Sequence, residues 1–214
     1  MAVNRSSARR QSDGGTVQLK FCSRCGSDRM VWRIPDDDNR PRHICDKCGE
    51  IFYSNPNIVA GCVPIWEDQI LLCKRAIEPR FGWWTLPAGF MENGETTAEA
   101  AARETWEEAC TRVDVRELYA IFNLPQINQV YMMFLAHMPV LEFAAGTESL
   151  ECRLYSEDKV PWPELAFPTI THTLKFYFED YKNGRFEQHF GDIIRDGQES
   201  VFLARRADAD AGPA

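Results

Sequence analysis

Four cysteines constrain this chain more than any other feature. Cys22 and Cys25 form one C-x2-C pair, Cys45 and Cys48 form a second, and nineteen residues separate the pairs. Each C-x2-C turn can present two sulfurs to one ion, and the residues between can form the hairpin that joins the turns. Four thiolates complete a tetrahedral zinc sphere and leave no position for water, so the spacing predicts a structural zinc ribbon. Residues 21–55 hold little apolar material, and bound zinc supplies the folding free energy that so small a module lacks. Two redox or disulfide pairs are the alternative reading. His43, close to Cys45, reads as a bystander, and Cys62, Cys73 and Cys152 read as small buried hydrophobes in strands.

Charge excludes several function classes. The chain has 24 Lys and Arg against 32 acids, a net charge of −8. Residues 21–55 are neutral and residues 56–214 carry −11, which argues against non-specific nucleic-acid binding. No apolar run reaches the ~20 residues of a membrane span, so a membrane partner is not expected. The N-terminus lacks a secretory apolar region, which favours a reducing compartment, the cytoplasm. Residues 1–20 read as a disordered tail, with a transit peptide as the alternative, and residues 197–214 as a second tail.

Between the tails the patterning is α/β. Ile58–Trp66 and Ile70–Arg75 read as two strands joined by a tight turn. Short strands are expected at Trp83–Pro87, Val113–Ile121, Val130–Ala136 and Leu150–Leu154, with a Gly-bearing loop at Ala88–Gly94. Thr96 or Thr97 can cap a helix in AEAAARETWEEAC, and a last helix fits Ile170–Tyr181 before the Asn183-Gly184 break. The expected organisation is a ribbon over 21–55 and a larger domain over 56–196, with a mixed sheet between helices.

The first helix is acidic on one side. At about 100° per residue, Glu107 and Glu108 flank Glu104 within an arc of about 100°, and Arg103 borders it. Ala98, Ala102, Thr105 and Ala109 offer an opposing arc of small residues suited to packing on a sheet. Three clustered carboxylates repel one another, and a hard cation such as Mg²⁺ or Mn²⁺ relieves that repulsion. A solvated acidic face is the bland alternative, disfavoured by the preceding Gly-loop, Glu95 and Arg103.

Gly89, five residues, Glu95, seven residues, Arg103-Glu104, two residues, Glu107-Glu108 resembles the Nudix box at every charged position. Thr105 and Thr111 stand where that family prefers aliphatics, and Cys110 where it prefers glycine; Cys110 is expected to strain a left-handed helix end by about 1 kcal/mol. The ribbon, ICDKCGEIFYSNPNIVAGC, WTLPAGFMENGE and GTESLECRLY extend the resemblance to the zinc-ribbon Nudix subgroup that includes the plant chloroplast FAD/ADP-ribose pyrophosphatase. That resemblance implies an α/β/α sandwich and Mg²⁺- or Mn²⁺-dependent hydrolysis of a nucleoside diphosphate derivative, a small-molecule nucleotide, with release of AMP. It implies metal ligation by Gly89, Glu104, Glu107 and Glu108, with Arg103 orienting the carboxylates and Glu95 supporting the loop. A further acid, Glu148 or Glu151, is implied as base or extra ligand. Trp84, Phe90 and Tyr131, along with Phe81 and Trp83, are aromatics available to stack on adenine or flavin, whereas Trp106 reads as packing. NADH pyrophosphatases share ribbon and box but carry a Ser-Gln-Pro-Trp-Pro-type segment that IFNLPQINQVY does not match. An NADH or nucleoside triphosphate substrate and a non-catalytic nucleotide sensor remain the alternatives. The family often forms dimers, so a homodimer is expected.

Overall fold

The computed structural model describes residues 19–196 and 199–204, in two compact units, Met1–Pro56 and Asn57–Ala214. The first carries a three-stranded antiparallel sheet of β1 (Met30–Arg33), β2 (Arg42–Cys45) and β3 (Ile51–Phe52). Its two cysteine turns share one construction. Gly26 N–H donates to the Cys22 carbonyl and Gly49 N–H to the Cys45 carbonyl, both at 2.8 Å. Each turn leaves through a left-handed glycine, φ 71° at Gly26 and 75° at Gly49, a conformation glycine adopts without Cβ cost. The turns bring the sulfurs of Cys22, Cys25, Cys45 and Cys48 within 4.8 Å of one another.

The second unit is built on a nine-stranded mixed sheet. In chain order it comprises β4 (Asn57–Trp66), β5 (Gln69–Arg75), β6 (Trp84–Thr85), β7 (Ala88–Phe90), α1 (Thr97–Ala109), β8 (Asp114–Leu124), β9 (Gln129–His137), β10 (Ser149–Tyr155), α2 (Pro168–Asn183), β11 (His189–Asp196) and β12 (Glu199–Ala204). The strand order is β10-β5-β4-β9-β8-β11-β12, with β6 on β5 and β7 on β4. The β4/β9 and β8/β11 pairs are parallel, the rest antiparallel.

Both faces are covered, which explains why β4 is apolar from Ile58 to Trp66 rather than alternating. Ala60 and Cys62 of β4 and Phe134 and Ala136 of β9 meet Ala100 and Ala101 of α1. The alternate residues Val63 and Leu135 join Ile170, Leu174, Tyr177 and Phe178 of α2 in the larger core. The result is the expected α/β/α sandwich.

Several boundaries differ from expectation, β8 among them running on to Leu124 rather than ending at Ile121. The Gly-bearing loop opens with a strand, because Ala88 and Gly89 are small enough to pair beside Gly61 and Ala60. The α2 helix runs longer at both ends, from a proline at its first position to a left-handed Gly184. The expected tail from 197 contains β12, which pairs with β11 from Asp196↔Glu199 to Gly191↔Ala204; the rest of that tail, and the N-terminal tail up to residue 18, lie outside the described residues. No helix among the described residues is long and apolar enough to cross a membrane.

Candidate active site

Local chemistry fixes where α1 starts. The Thr96 hydroxyl accepts from Glu99 N–H at 3.2 Å, and the Glu99 carboxylate accepts from Thr96 N–H at 2.7 Å, so each satisfies a donor the helix end would orphan. α1 ends at Cys110, in the left-handed region at φ 46°, the strained position expected for a non-glycine residue there. Thr105 is wholly buried, and its hydroxyl donates to the Ala101 carbonyl at 2.8 Å, which is how a polar residue fits an aliphatic position.

The packed face of α1 differs from the one expected. Ala100, Ala101, Thr105 and Ala109 are buried, while Ala98 and Ala102 are only partly so. The packed arc is therefore rotated toward the acidic arc and overlaps it at Glu108, which is buried as well. Burial pushes the Glu108 carboxyl up to about 8, the Ala88 N–H at 3.4 Å opposing it and Glu104 and Glu148 adding repulsion. Glu104 is raised too, first by burial and then by Glu107 and Glu148, against the pull of Arg103. Strand β7 passes directly beneath: a Cβ at Gly89 would overlap the Glu104 carboxylate, so only glycine permits this approach.

Arg103 ties the loop to the helix. Its guanidinium donates to Glu95 at 2.8 and 3.0 Å, to Glu104 at 2.7 Å, to Glu107 at 3.2 Å and to the Phe90 carbonyl at 3.1 Å. The Arg103 hydrogen bond, with Glu92 N–H at 2.6 Å, holds Glu95 down at about 2.

The far end of α1 recruits another acid. Ala144 N–H donates to the Ala109 carbonyl at 2.9 Å and Gly146 N–H to the Glu108 carbonyl at 3.0 Å, satisfying carbonyls that a helix end leaves open. A Cβ at Gly146 would overlap the Glu107 carbonyl. This docking carries Glu148 to the site, where it is exposed and its charge acts on both Glu104 and Glu108. Glu151 instead pairs with Arg153.

The aromatic candidates separate. Trp84 is 4% exposed, edge-on to Tyr155 at 5.2 Å, and its ring belongs to the core rather than to a stacking surface. Phe90 is 54% exposed beside the carbonyl that Arg103 grips. Tyr131 is partly buried, its hydroxyl pushed up by burial. Phe81 is exposed and Trp83 lies under the Arg80 guanidinium at 4.7 Å. Trp106, expected to pack, is 51% exposed with Arg112 over its ring at 5.8 Å. Arg75 was not anticipated: it donates to the Pro79 carbonyl at 2.9 Å, lies over Phe167, and its charge reaches Glu108 and Tyr131. Its position after the buried run of β5 was the available signal.

In the smaller unit, burial pushes the Cys45 thiol up but the amides of Cys48 and Lys47 pull it further down, to about 6. Backbone donors aimed at the Cys45 sulfur favour the thiolate a metal requires, while the neighbouring sulfurs push Cys48 up; the cluster of four sulfurs fits tetrahedral zinc.

Comparison with known proteins agrees with this geometry. The family model described as Nudix N-terminal, a zinc ribbon, matches residues 20–54, and that of the NUDIX domain matches residues 55–173. A crystal structure of a NUDIX hydrolase from Nitrosomonas europaea is 52% identical, with a TM-score of 0.80 over 83% of this chain and 100% of its own. An ADP-ribose pyrophosphatase of Methanocaldococcus jannaschii is 29% identical over 119 residues, 54% of this chain and 69% of its own length. The NAD-capped RNA hydrolase NudC of Salmonella paratyphi C is 30% identical over 150 residues; the chain spans about half of that relative, 53%. With its NUDIX domain matched over more than half its length, the chain belongs to the Nudix hydrolase family.

Proposed function

We propose that this Nudix hydrolase cleaves the pyrophosphate bond of a nucleoside diphosphate derivative, ADP-ribose or FAD, with Mg²⁺ or Mn²⁺, releasing AMP. The observation that carries the reading is the carboxylate face of α1. Glu108 and Glu104 are raised by burial and by repulsion from neighbouring carboxylates, and Gly89 lets strand β7 lie against the Glu104 carboxylate. Such an oxygen-rich set, which Arg103 relieves only in part, suits a hard divalent cation held by Glu104, Glu107, Glu108 and the Gly89 carbonyl. When bound, the cation neutralises charge on the pyrophosphate and makes water a better nucleophile. Arg103 and Glu95 keep the loop and carboxylates in place. Glu148, exposed and electrostatically linked to Glu104 and Glu108, takes the proton of the attacking water. Arg75 supplies positive charge toward the phosphates, and Phe90 and Tyr131 offer ring surface to adenine or flavin. In the smaller unit Cys22, Cys25, Cys45 and Cys48 hold zinc, and the eight unpaired cysteines suit the cytoplasm.

The relatives named NAD-capped RNA hydrolase favour one second reading, an NAD-type pyrophosphate free or at an RNA end, and weigh against the expected absence of nucleic acid. The test is the purified, metal-supplied protein against ADP-ribose, FAD, NADH and NAD-capped RNA, with products resolved by chromatography. AMP with ribose 5-phosphate or FMN is expected. Cleavage of NADH or capped RNA with ADP-ribose and FAD untouched would assign the second reading, and no turnover of any would return the chain to the sensor class.

A further inference from the structure

Four cysteines lie outside the ribbon, and two of them form a pair that nothing in the hydrolytic chemistry uses. Cys73 of β5 and Cys152 of β10 are direct cross-strand partners, 79 residues apart in sequence, with their sulfurs 3.5 Å apart. Cys73 is wholly buried against Leu71, Ala109 and Met138, under the last turn of α1. Cys152 is half-buried and sits on β10, an edge strand, so it is the less enclosed residue of the pair. The Cys152 sulfur also lies 3.5 Å from the Glu108 carbonyl and 3.6 Å from the Ala144 carbonyl. Those carbonyls belong to the helix end and to the loop that delivers Glu148, and the register of β10 is irregular between Ser149 and Glu151. Cys62, by contrast, is buried alone against Ala101, and Cys110 is exposed with no thiol neighbour among the described residues.

We propose that Cys73 and Cys152 form a dithiol modification site that takes a peroxide as oxidant, and that its disulfide shifts the Glu148 loop and lowers turnover. The Cys152 sulfur attacks one peroxide oxygen and the O–O bond breaks, giving a sulfenic acid and one water. The Cys73 sulfur then displaces the hydroxyl, which leaves with the Cys73 proton as a second water as the S–S bond forms. The pair gives up two electrons and two protons, and the peroxide is reduced to water. Directly opposed strand positions meet the Cα and Cβ spacing of a disulfide, but the sulfurs must close from contact to about 2 Å, which draws the edge strand inward. Cys152 then gives up its thiol proton, the donor facing the Glu108 and Ala144 carbonyls.

The experiment uses the full zinc-loaded chain treated with stoichiometric hydrogen peroxide, then alkylated and digested without reductant. A peptide linking Cys73 to Cys152 is expected, absent in Cys152→Ala and in Cys73→Ala and retained in Cys110→Gly. Turnover of ADP-ribose is expected to fall with the linked fraction, to return with dithiothreitol, and to resist peroxide in Cys152→Ala. The turnover arm rests on the proposed hydrolysis, whereas the linkage does not; a reduced enzyme without activity fails the former alone. Oxidation of Cys152 to higher acids without the link, linkage confined to the ribbon cysteines, or a linked protein with undiminished turnover would each overturn the proposal.

Discussion

Glu108 occupies a position where packing and ligation make opposing demands. The rotation of α1 that buries Ala101, Thr105 and Ala109 takes this carboxyl with it, and burial raises it from 4.5 to about 8. A carboxyl raised on folding is stabilising while protonated, and that stability is full below pH 4.5 and lost as pH climbs through about 8. The metal-free protein is therefore expected to melt at a lower temperature at pH 8 than at pH 5. Mn²⁺ should raise the melting temperature more at pH 8, since it binds the deprotonated form. A melting profile flat across that range would show that Glu108 keeps its ordinary affinity for protons. Arg103 belongs to the same scale. Arg103→Ala is expected to lower kcat on the order of 10- to 100-fold while the far-ultraviolet spectrum is unchanged, because it releases Glu95, Glu104 and Glu107 together. Cys110→Gly relieves the left-handed strain at φ 46° and should raise stability by about 1 kcal/mol, read from urea unfolding.

At the scale of the element, α1 is a bracket with a fastening at each end. Thr96 and Glu99 close the start, and the amides of Ala144 and Gly146 close the finish. Thr96→Ala is expected to cost about 1 kcal/mol of stability without changing the metal requirement. The start was readable in the sequence, since capping chemistry is local. The finish was not, because the partners of those carbonyls arrive from a loop far along the chain, which also carries Glu148 toward the helix while Glu151 pairs with Arg153. The exact face of α1 was also hidden: Ala98 and Ala102 match Ala101 and Ala109 in size, so side-chain type alone could not phase the helix against the sheet. Trp84 and Trp106 exchange their expected environments for the same reason, since strand and helix patterning names a face but not which layer covers it.

Across the whole molecule, the four-cysteine spacing and the box made the two functional modules legible, because each depends on fixed short spacings. The sheet order was not legible, since β4 beside β9 and β11 beside β8 are long-range pairings, and β12 fell in a stretch whose composition read as a tail. Among the described residues of the smaller unit, the buried hydrophobics are Cys22, Ile44 and Cys45. Zinc removal with a strong chelator is expected to abolish amide-exchange protection in β1–β3 while β4, β8 and β9 keep theirs. The central claim is that the carboxylate face of α1 holds the cation that drives pyrophosphate cleavage. Its most direct test is the initial rate of ADP-ribose hydrolysis at saturating Mn²⁺ by Glu108→Gln beside the wild-type protein. Mn²⁺-dependent release of AMP by the wild type and a loss on the order of 100-fold or more in the variant are expected. Equal rates in the two proteins, or a wild-type rate indifferent to Mn²⁺, would contradict the claim.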